Sequence, residues 1–479
     1  MPPPVSIRPL VFLYALLFFG CRPTLTPAAP SASAGDPVVY LTTADSAQLL
    51  ARQPAGGGAQ VPGGATEITI NPELRYQTMQ GFGYTLTGGS AQLIHELPAR
   101  RRRALLDELF GDGPEAIGVS YLRVSLGASD LDAEVFSYDD RPAGETDPQL
   151  MHFSLDADRR HLISLLREIL AIRPDLRIMA SPWSPPVWMK DNGNSKGGSL
   201  LPEYYPAYAD YFVRYVTGMA GEGIRIDAVT VQNEPLHPGN NPSLLMLAED
   251  QATFVGEHLG PAFAAADVDT RIVVYDHNAD RPDYPLTVLA DDRARPYVDG
   301  SAFHLYGGEI DALSEVHTAY PNKHLYFTEQ WIGAPGNFAE DLRWHVRELF
   351  IGAPRNWSET VLEWNLAADA DQDPHTPGGC TRCLGALTIQ DGTVHRNTAY
   401  YNVAHSSRFV PPGSVRIGSD VPAGLPNVAY ITPSGKVVVL LLNDGEEARS
   451  LILRVADRTY PVTLPAGAVA TCILPAAAG

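Results

Sequence analysis

Between residues 78 and 367, short runs of apolar, β-branched and aromatic residues recur, separated by longer stretches with helical periodicity. The runs are TMQGFGYTLT (78–87), VSYLRVSL (119–126), LRIMASPW (176–183), IDAVTVQNE (226–234), TRIVVYDHN (270–278), VDGSAFHLY (298–306), HLYFTEQW (324–331) and ETVLEWNLA (359–367). Several are apolar at successive rather than alternate positions, as strands covered on both faces are. Between them, 155–174 sets Leu162, Leu165, Leu166, Ile169 and Leu170 on one helical face and closes on Pro174. Segments 98–110, 203–221, 246–265 and 338–352 have similar lengths and periodicity. Strands alternating with helices in this way over roughly 300 residues predict an α/β fold, a (β/α)8 TIM barrel. The alternative is an open doubly wound sheet. Against it, GFGYTLTGG lacks the G-x-G-x-x-G spacing and precedes no obvious helix start.

The flanks follow another rhythm. Residues 37–74 hold short strand-like pieces (VVYLTT, TEITI) around the turn-rich PAGGGAQVPGG, and 404–479 alternate in KVVVLLLN, SLILRV and TYPVTL. Neither piece is large enough for a core of its own. They are expected to combine into one side β-sandwich domain formed by both termini, beside a barrel spanning 75–403.

At the N-terminus, Arg8 precedes PLVFLYALLFFG and then Cys21, an apolar stretch too short for a permanent membrane span. Residues 22–36 turn to Pro, Thr, Ala, Ser and Gly, the composition of a flexible linker. Residues 1–21 are similar to a bacterial lipoprotein signal with Cys21 as the lipidation site, although Phe18 stands where Leu is usual; an ordinary secretory signal is the alternative. Both readings predict export. The first tethers the protein by a lipid anchor to the cell envelope, the second releases it to the periplasm or medium. Export bears on the cysteines: Cys380 and Cys383, in PHTPGGCTRCLGA, have too few partners for a zinc site, and an oxidising compartment favours a local disulfide. Cys472 reads as a small buried apolar residue.

The chain has 479 residues, 45% hydrophobic and 19% charged, with a net charge of −20. That charge excludes nucleic acid and anionic membrane surfaces as partners and leaves a neutral ligand open.

In such a barrel, reactive groups gather at the carboxyl ends of the strands. Those ends carry Asp130 after the second run, Trp183 on the third, Asn233 and Glu234 on the fourth, and Asp276, His277 and Asn278 on the fifth. The sixth brings His304 and Tyr306, the seventh Glu329 and Trp331, the eighth Trp364 and Asn365. Carboxylates, amides and rings at one mouth suit a sugar, with polar groups on hydroxyls and flat rings on apolar faces. Two carboxylates flanking it suit glycoside hydrolysis. Glu234, in a crowded apolar setting that should raise its pKa, is the expected proton donor. Glu329, beside Thr328 and near Tyr306, is the expected ionised nucleophile. Taken singly, each residue has a plainer reading: a surface Glu, Asp130 as a cap, the tryptophans as core rings, His277 and His304 as metal ligands without a supporting motif.

The motifs QGFGYTLTGGSA (80–91), LRVSLGASDLD (122–132), ASPWSPPVWMK (180–190), VQNEP (231–235), FHLYGG (303–308), FTEQW (327–331), EWNLAAD (363–369) and SRFVPPGSVRIG (407–418) resemble those of glycoside hydrolase family 30, which contains glucosylceramidases and microbial β-1,6-glucanases. The resemblance implies a retaining β-glycosidase with Glu234 as acid/base and Glu329 as nucleophile. It implies Asp130, Trp183, Asn233, Tyr306 and Trp364 as substrate-binding residues, to which the strand-end reading adds His304, and no metal or organic cofactor. Two departures stand out: Gly88 where an acidic residue is common, and Leu131 where an aromatic one is. With the loop PGGCTRCLGA they place the chain nearer the bacterial β-1,6-glucanase branch, with a β-glucan oligosaccharide or polysaccharide as expected partner. Glucosylceramide, a β-xyloside or a fucoside keeps the mechanism with another substrate. A non-catalytic carbohydrate-binding lipoprotein is the alternative from outside the enzymes, and retention of both carboxylates argues against it.

Overall fold

A computed structural model describes residues 1, 3, 37–54 and 64–475; Cys21 and the 22–36 segment lie outside them. Eight parallel strands close into a barrel. They are β1 (Gly81–Leu86), β2 (Tyr121–Ser125), β3 (Arg177–Ser181), β4 (Ala228–Thr230), β5 (Arg271–Asn278), β6 (Val298–His304), β7 (His324–Glu329) and β8 (Ser358–Asn365). Each pairs with its neighbours in sequence, and β8 closes on β1. All but β4, which keeps only three residues of its predicted run, extend over most of the apolar stretch that marked them.

The period of two within these strands sorts their side chains. Leu122, Val124, Ile178, Ala180, Val229 and Val274 point outward into one large core shared with the surrounding helices. Tyr121, Met179, Ala228, Val273, Ala302, Tyr326 and Leu362 point inward and form a separate apolar layer across the barrel. The barrel is therefore plugged below its mouth.

Helices cover the outside, among them Ala99–Phe110, a continuous run over 156–172, Tyr205–Gly221 and another over 248–265. One feature departs from the sequence expectation. A helix, Gly88–Glu96, begins directly after β1, with Thr87 Oγ1 accepting the Ser90 N–H as its cap. The two glycines that follow the cap disguise it in the sequence. Among the described residues no helix is long and apolar enough to cross a membrane.

The flanking strands join in one nine-stranded sheet that interleaves the two termini. Val38–Thr42 pairs with Val469–Leu474, and Thr66–Thr78 lies between Val415–Ser419 and Arg449–Val455. The strand Val437–Leu442 is buried on both faces. Val437, Val439 and Leu441 enter the core of the sandwich, whereas Val438, Leu440 and Leu442 enter the barrel core. An unbroken VVVLLL is thus what a strand shared by two cores requires.

Candidate active site

One pleat above the apolar layer the barrel interior becomes polar. Two residues beyond Tyr121, Met179, Ala228, Ala302 and Tyr326 stand Arg123, Ser181, Thr230, His304 and Thr328, all essentially inaccessible to solvent. On β5 the alternation is broken. Val274 and Tyr275 both belong to the outer core, pairing with β6 shifts register between Tyr275 and His277, and Tyr275 and Asp276 have φ of 71° and 67°. This bulge turns Asp276 inward, where a regular strand would have sent Tyr275. Left-handed backbone at two successive non-glycine residues costs about 1–3 kcal/mol each and persists only where neighbours enforce it.

Those neighbours are hydrogen bonds. Asp276 accepts from Arg123 Nη2 at 2.8 Å, Thr230 Oγ1 at 2.7 Å, Thr328 Oγ1 at 2.6 Å and His304 Nε2 at 3.0 Å. Burial works against its charge, but Arg123, His304 and Thr328 outweigh burial and hold the carboxyl well below the usual carboxylate range. Arg123 also donates from Nε to Ser181 Oγ at 3.0 Å, from Nη2 to Asn233 Oδ1 at 2.6 Å and from Nη1 to Glu329 Oε2 at 2.6 Å. A fully buried guanidinium thus spans four strands or strand ends.

Glu234 and Glu329 stand on this layer. A carboxylate oxygen of each, with a ring nitrogen of His304, all lie within 4.8 Å of one another. Glu329 accepts from Arg123 and, through Oε1, from the Tyr306 hydroxyl at 2.9 Å. Glu234, at φ 44°, approaches His304 Nδ1 with Oε1 at 3.3 Å and accepts from Asn240 Nδ2 at 3.3 Å. Burial pushes the Glu329 carboxyl above its ordinary value against the pull of His304 and Arg123. Burial opposes the Glu234 charge too, but the His304 hydrogen bond and charge, with His277 and His237, hold it below its ordinary value. That corrects the sequence expectation of a raised Glu234, which could not see His304 beside it. His304 is itself pushed up to about 9: burial disfavours its charge, but Glu329, Asp276 and Glu234 together favour it. With Nε2–H committed to Asp276, the proton facing Glu234 is shared across one contact. A protonated His304 beside ionised Glu234 and a neutral His304 beside protonated Glu234 are two placements of that proton.

The cavity above is about 320 Å³, at the small end for ligand pockets. Asp130, Trp183, Glu234, Tyr306, Glu329 and Trp364 line it, with Cys380 and Cys383 on its wall. Trp183 and Trp364 stack on each other at 5.5 Å, and Arg123 lies 4.8 Å from the Trp183 ring centre. Cys380 and Cys383 are joined as a disulfide, and the Cys380 N–H donates to Asp130 Oδ2 at 3.2 Å. Burial and the Glu329 charge push the Asp130 carboxyl up to about 7. Two residues the sequence assigned to the substrate do not line the cavity: Asn233 and His304 lie behind it, engaged with Arg123 and with the three carboxylates. His237, Asn240, His277, Asn278 and Trp331 complete the lining, and the first two had no signal in the sequence. Gly88 also gains an explanation, since a Cβ there would fall 1.6 Å from Asp132 Oδ1. Asp132, bonded to the Ser129 N–H and hydroxyl, fills the space a side chain at 88 would need.

A closed barrel with two buried glutamates facing one cavity, their oxygens within 4.8 Å, defines a barrel glycoside hydrolase. Residues 79–410 match the glycosyl hydrolase family 30 TIM-barrel domain and 413–472 the family 30 β-sandwich domain. The chain belongs to glycosyl hydrolase family 30. An endo-1,6-β-D-glucanase of Aspergillus fumigatus is 33% identical over 429 residues, 84% of this chain and 86% of that protein. The lysosomal acid glucosylceramidase of Mus musculus is 29% identical over 84% of this chain and 81% of its own length. A solved endo-β1,6-glucanase superposes with a TM-score of 0.84 at 34% identity, covering 92% of this chain and all of the other.

Proposed function

We propose that this chain hydrolyses β-1,6-glucan with retention of configuration, cleaving within the polymer. The observation that carries the mechanism is the approach of the Glu234 and Glu329 oxygens to within 4.8 Å. Retaining enzymes hold their carboxyl groups at about 5–5.5 Å, whereas inverting ones leave about 6.5–9.5 Å for a water. Glu329 attacks the anomeric carbon while Glu234, supplied with the proton it shares with His304, protonates the leaving oxygen. Glu234 then removes a proton from the water that releases the covalent glycosyl intermediate. As Glu329 gives up its charge to the sugar, Arg123 and Tyr306 remain to stabilise it on departure. Substrate choice rests on the endo-1,6-β-glucanases at 33% and 34% identity. Export, with acylation at Cys21, belongs to the same reading and rests on the N-terminal sequence pattern.

The test is a product profile on pustulan, laminarin and glucosylceramide side by side. Oligosaccharides of mixed length from pustulan, with little release from the others, are expected. Glucose alone would refute internal cleavage, and preference for glucosylceramide would favour the second reading, which the mouse relative supports. Glu329→Gln should abolish turnover of an aryl β-glucoside. Glu234→Ala should slow substrates with poor leaving groups far more than activated ones.

A further inference from the structure

Outside the catalytic pocket, the segment between β2 and the helical run at 156–172 carries a second buried acidic group. Asp139 is 1% exposed, and both of its carboxylate oxygens are buried without any hydrogen-bond partner. Such a group is costly to bury and calls for a proton, a water or an ion. None of its neighbours donates to it, although the Arg141 guanidinium, whose Nε is buried and unbonded, is near enough for its charge to act on the carboxylate. Arg141 turns its Nη2 to Glu145 at 2.8 Å, and Asp140 is held by the Ser137 N–H and hydroxyl. What does face Asp139 is Asp147, 6% exposed, and His152. One ligand atom from each of the three lies within 4.8 Å of the other two.

We propose that Asp139, Asp147 and His152 bind a divalent cation. Three ligands at this spacing suit a central ion with metal–ligand distances of about 2.0–2.3 Å. Two carboxylates with one imidazole favour a borderline ion, Zn²⁺ or Mn²⁺, over Ca²⁺, which takes oxygen ligands only. At present Asp147 Oδ2 accepts both the His152 N–H and Nδ1–H at 2.8 Å, so the cation takes over a contact already made between two of its ligands. Its role is to fix the pocket wall. The Asp139 carbonyl accepts the Trp188 indole N–H at 2.9 Å, and Trp188 lies five residues beyond Trp183, which lines the catalytic cavity. An ion here stiffens the loop after β2, which holds the Trp188 indole of the loop after β3 through that hydrogen bond.

The full chain, stripped with EDTA and dialysed, is titrated calorimetrically with Zn²⁺, Mn²⁺ and Ca²⁺, and its thermal midpoint is followed in parallel. One equivalent of Zn²⁺ or Mn²⁺ is expected to bind and raise the midpoint. Asp139→Asn should weaken binding at least tenfold while melting no lower than the stripped wild type, because it removes an uncompensated buried charge. His152→Ala, at an exposed position, should weaken binding similarly. Among the described residues Glu234, His304 and Glu329 form the other candidate cluster, so Glu329→Gln serves as control and should bind as the wild type does. Absence of binding up to about millimolar metal, binding lost in Glu329→Gln but kept in Asp139→Asn, or Ca²⁺ binding indifferent to His152 would each overturn the assignment.

Discussion

Replacing Arg123 by Met removes the cation from the polar layer while roughly keeping the length of the side chain. Arg123 is wholly buried and donates to Glu329, Asp276, Asn233 and Ser181. Deleting one partner of a buried ion pair costs about 3–5 kcal/mol, because the other charge stays buried and unpaired. The carboxylates can avoid that cost by taking up a proton. Asp276 keeps His304, Thr230 and Thr328, so Glu329, already pushed up by burial, is the group that yields. A contacting cation lowers a carboxyl pKa by about 1–3 units, each unit being about 1.4 kcal/mol. Loss of the cation therefore raises the pKa of Glu329, and the ionised carboxylate that the proposed double displacement needs is present only at higher pH. The acidic limb of kcat/KM for an aryl β-glucoside should move up by about 1–3 pH units. Urea unfolding at pH 7 should show a loss of about 3–5 kcal/mol. Arg123→Lys keeps the charge without the planar fork and should fall between. A uniform loss of rate in Arg123→Met, with an unmoved acidic limb, would refute the claim that this guanidinium maintains the Glu329 charge.

The proton shared by Glu234 and His304 should set the alkaline limb of kcat/KM near pH 9, and His304→Ala should move that limb to lower pH; an unchanged limb would assign it to another group. Burial pushes Asp158 up to about 7 despite the Tyr138 hydroxyl that donates to it, so the folded state binds this proton more tightly than the unfolded chain and stability falls as pH rises from about 4 to about 7. Asp158→Asn should remove that share of the decline, at most about 4 kcal/mol, in urea unfolding across this range; an unaltered slope would contradict it. The double replacement of Cys380 and Cys383 by Ser should cost about 2 kcal/mol on chain-entropy grounds and raise KM more than it lowers kcat, since Cys380 presents its N–H to Asp130 at the pocket wall. A fall in kcat alone would remove the disulfide from substrate positioning.

What the sequence made legible follows from where periodicity stays regular. All eight barrel strands were marked by apolar runs, and Glu234 and Glu329 stand at two of their ends, facing one cavity. The helices Asp283–Ala290 and Ala312–Ala319 went unread because eight residues barely complete two turns of periodicity. Asp276 was noticed at a strand end but not as a partner of Arg123, because a bulge changes which residue faces inward and a pattern of alternate positions cannot announce its own interruption.

Arg123 is the instructive omission, because its signal was present. Leu122 and Val124 flank it in a strand covered on both faces, so Arg123 has to point into the barrel. A charge there must meet opposite charges. Its position, one pleat above Tyr121 in the apolar layer, also fixes its height. The same step leads from Met179 to Ser181, from Ala302 to His304 and from Tyr326 to Thr328. In this barrel the chemistry begins at the first inward position beyond the last apolar ring. Sequence reading at strand ends finds the groups that line the cavity, whereas reading two residues earlier finds those that set their charge. The abrupt change from apolar to polar in VTVQNEP is the outer edge of that second layer: Thr230 serves Asp276, Asn233 serves Arg123, and only Glu234 among them reaches the cavity.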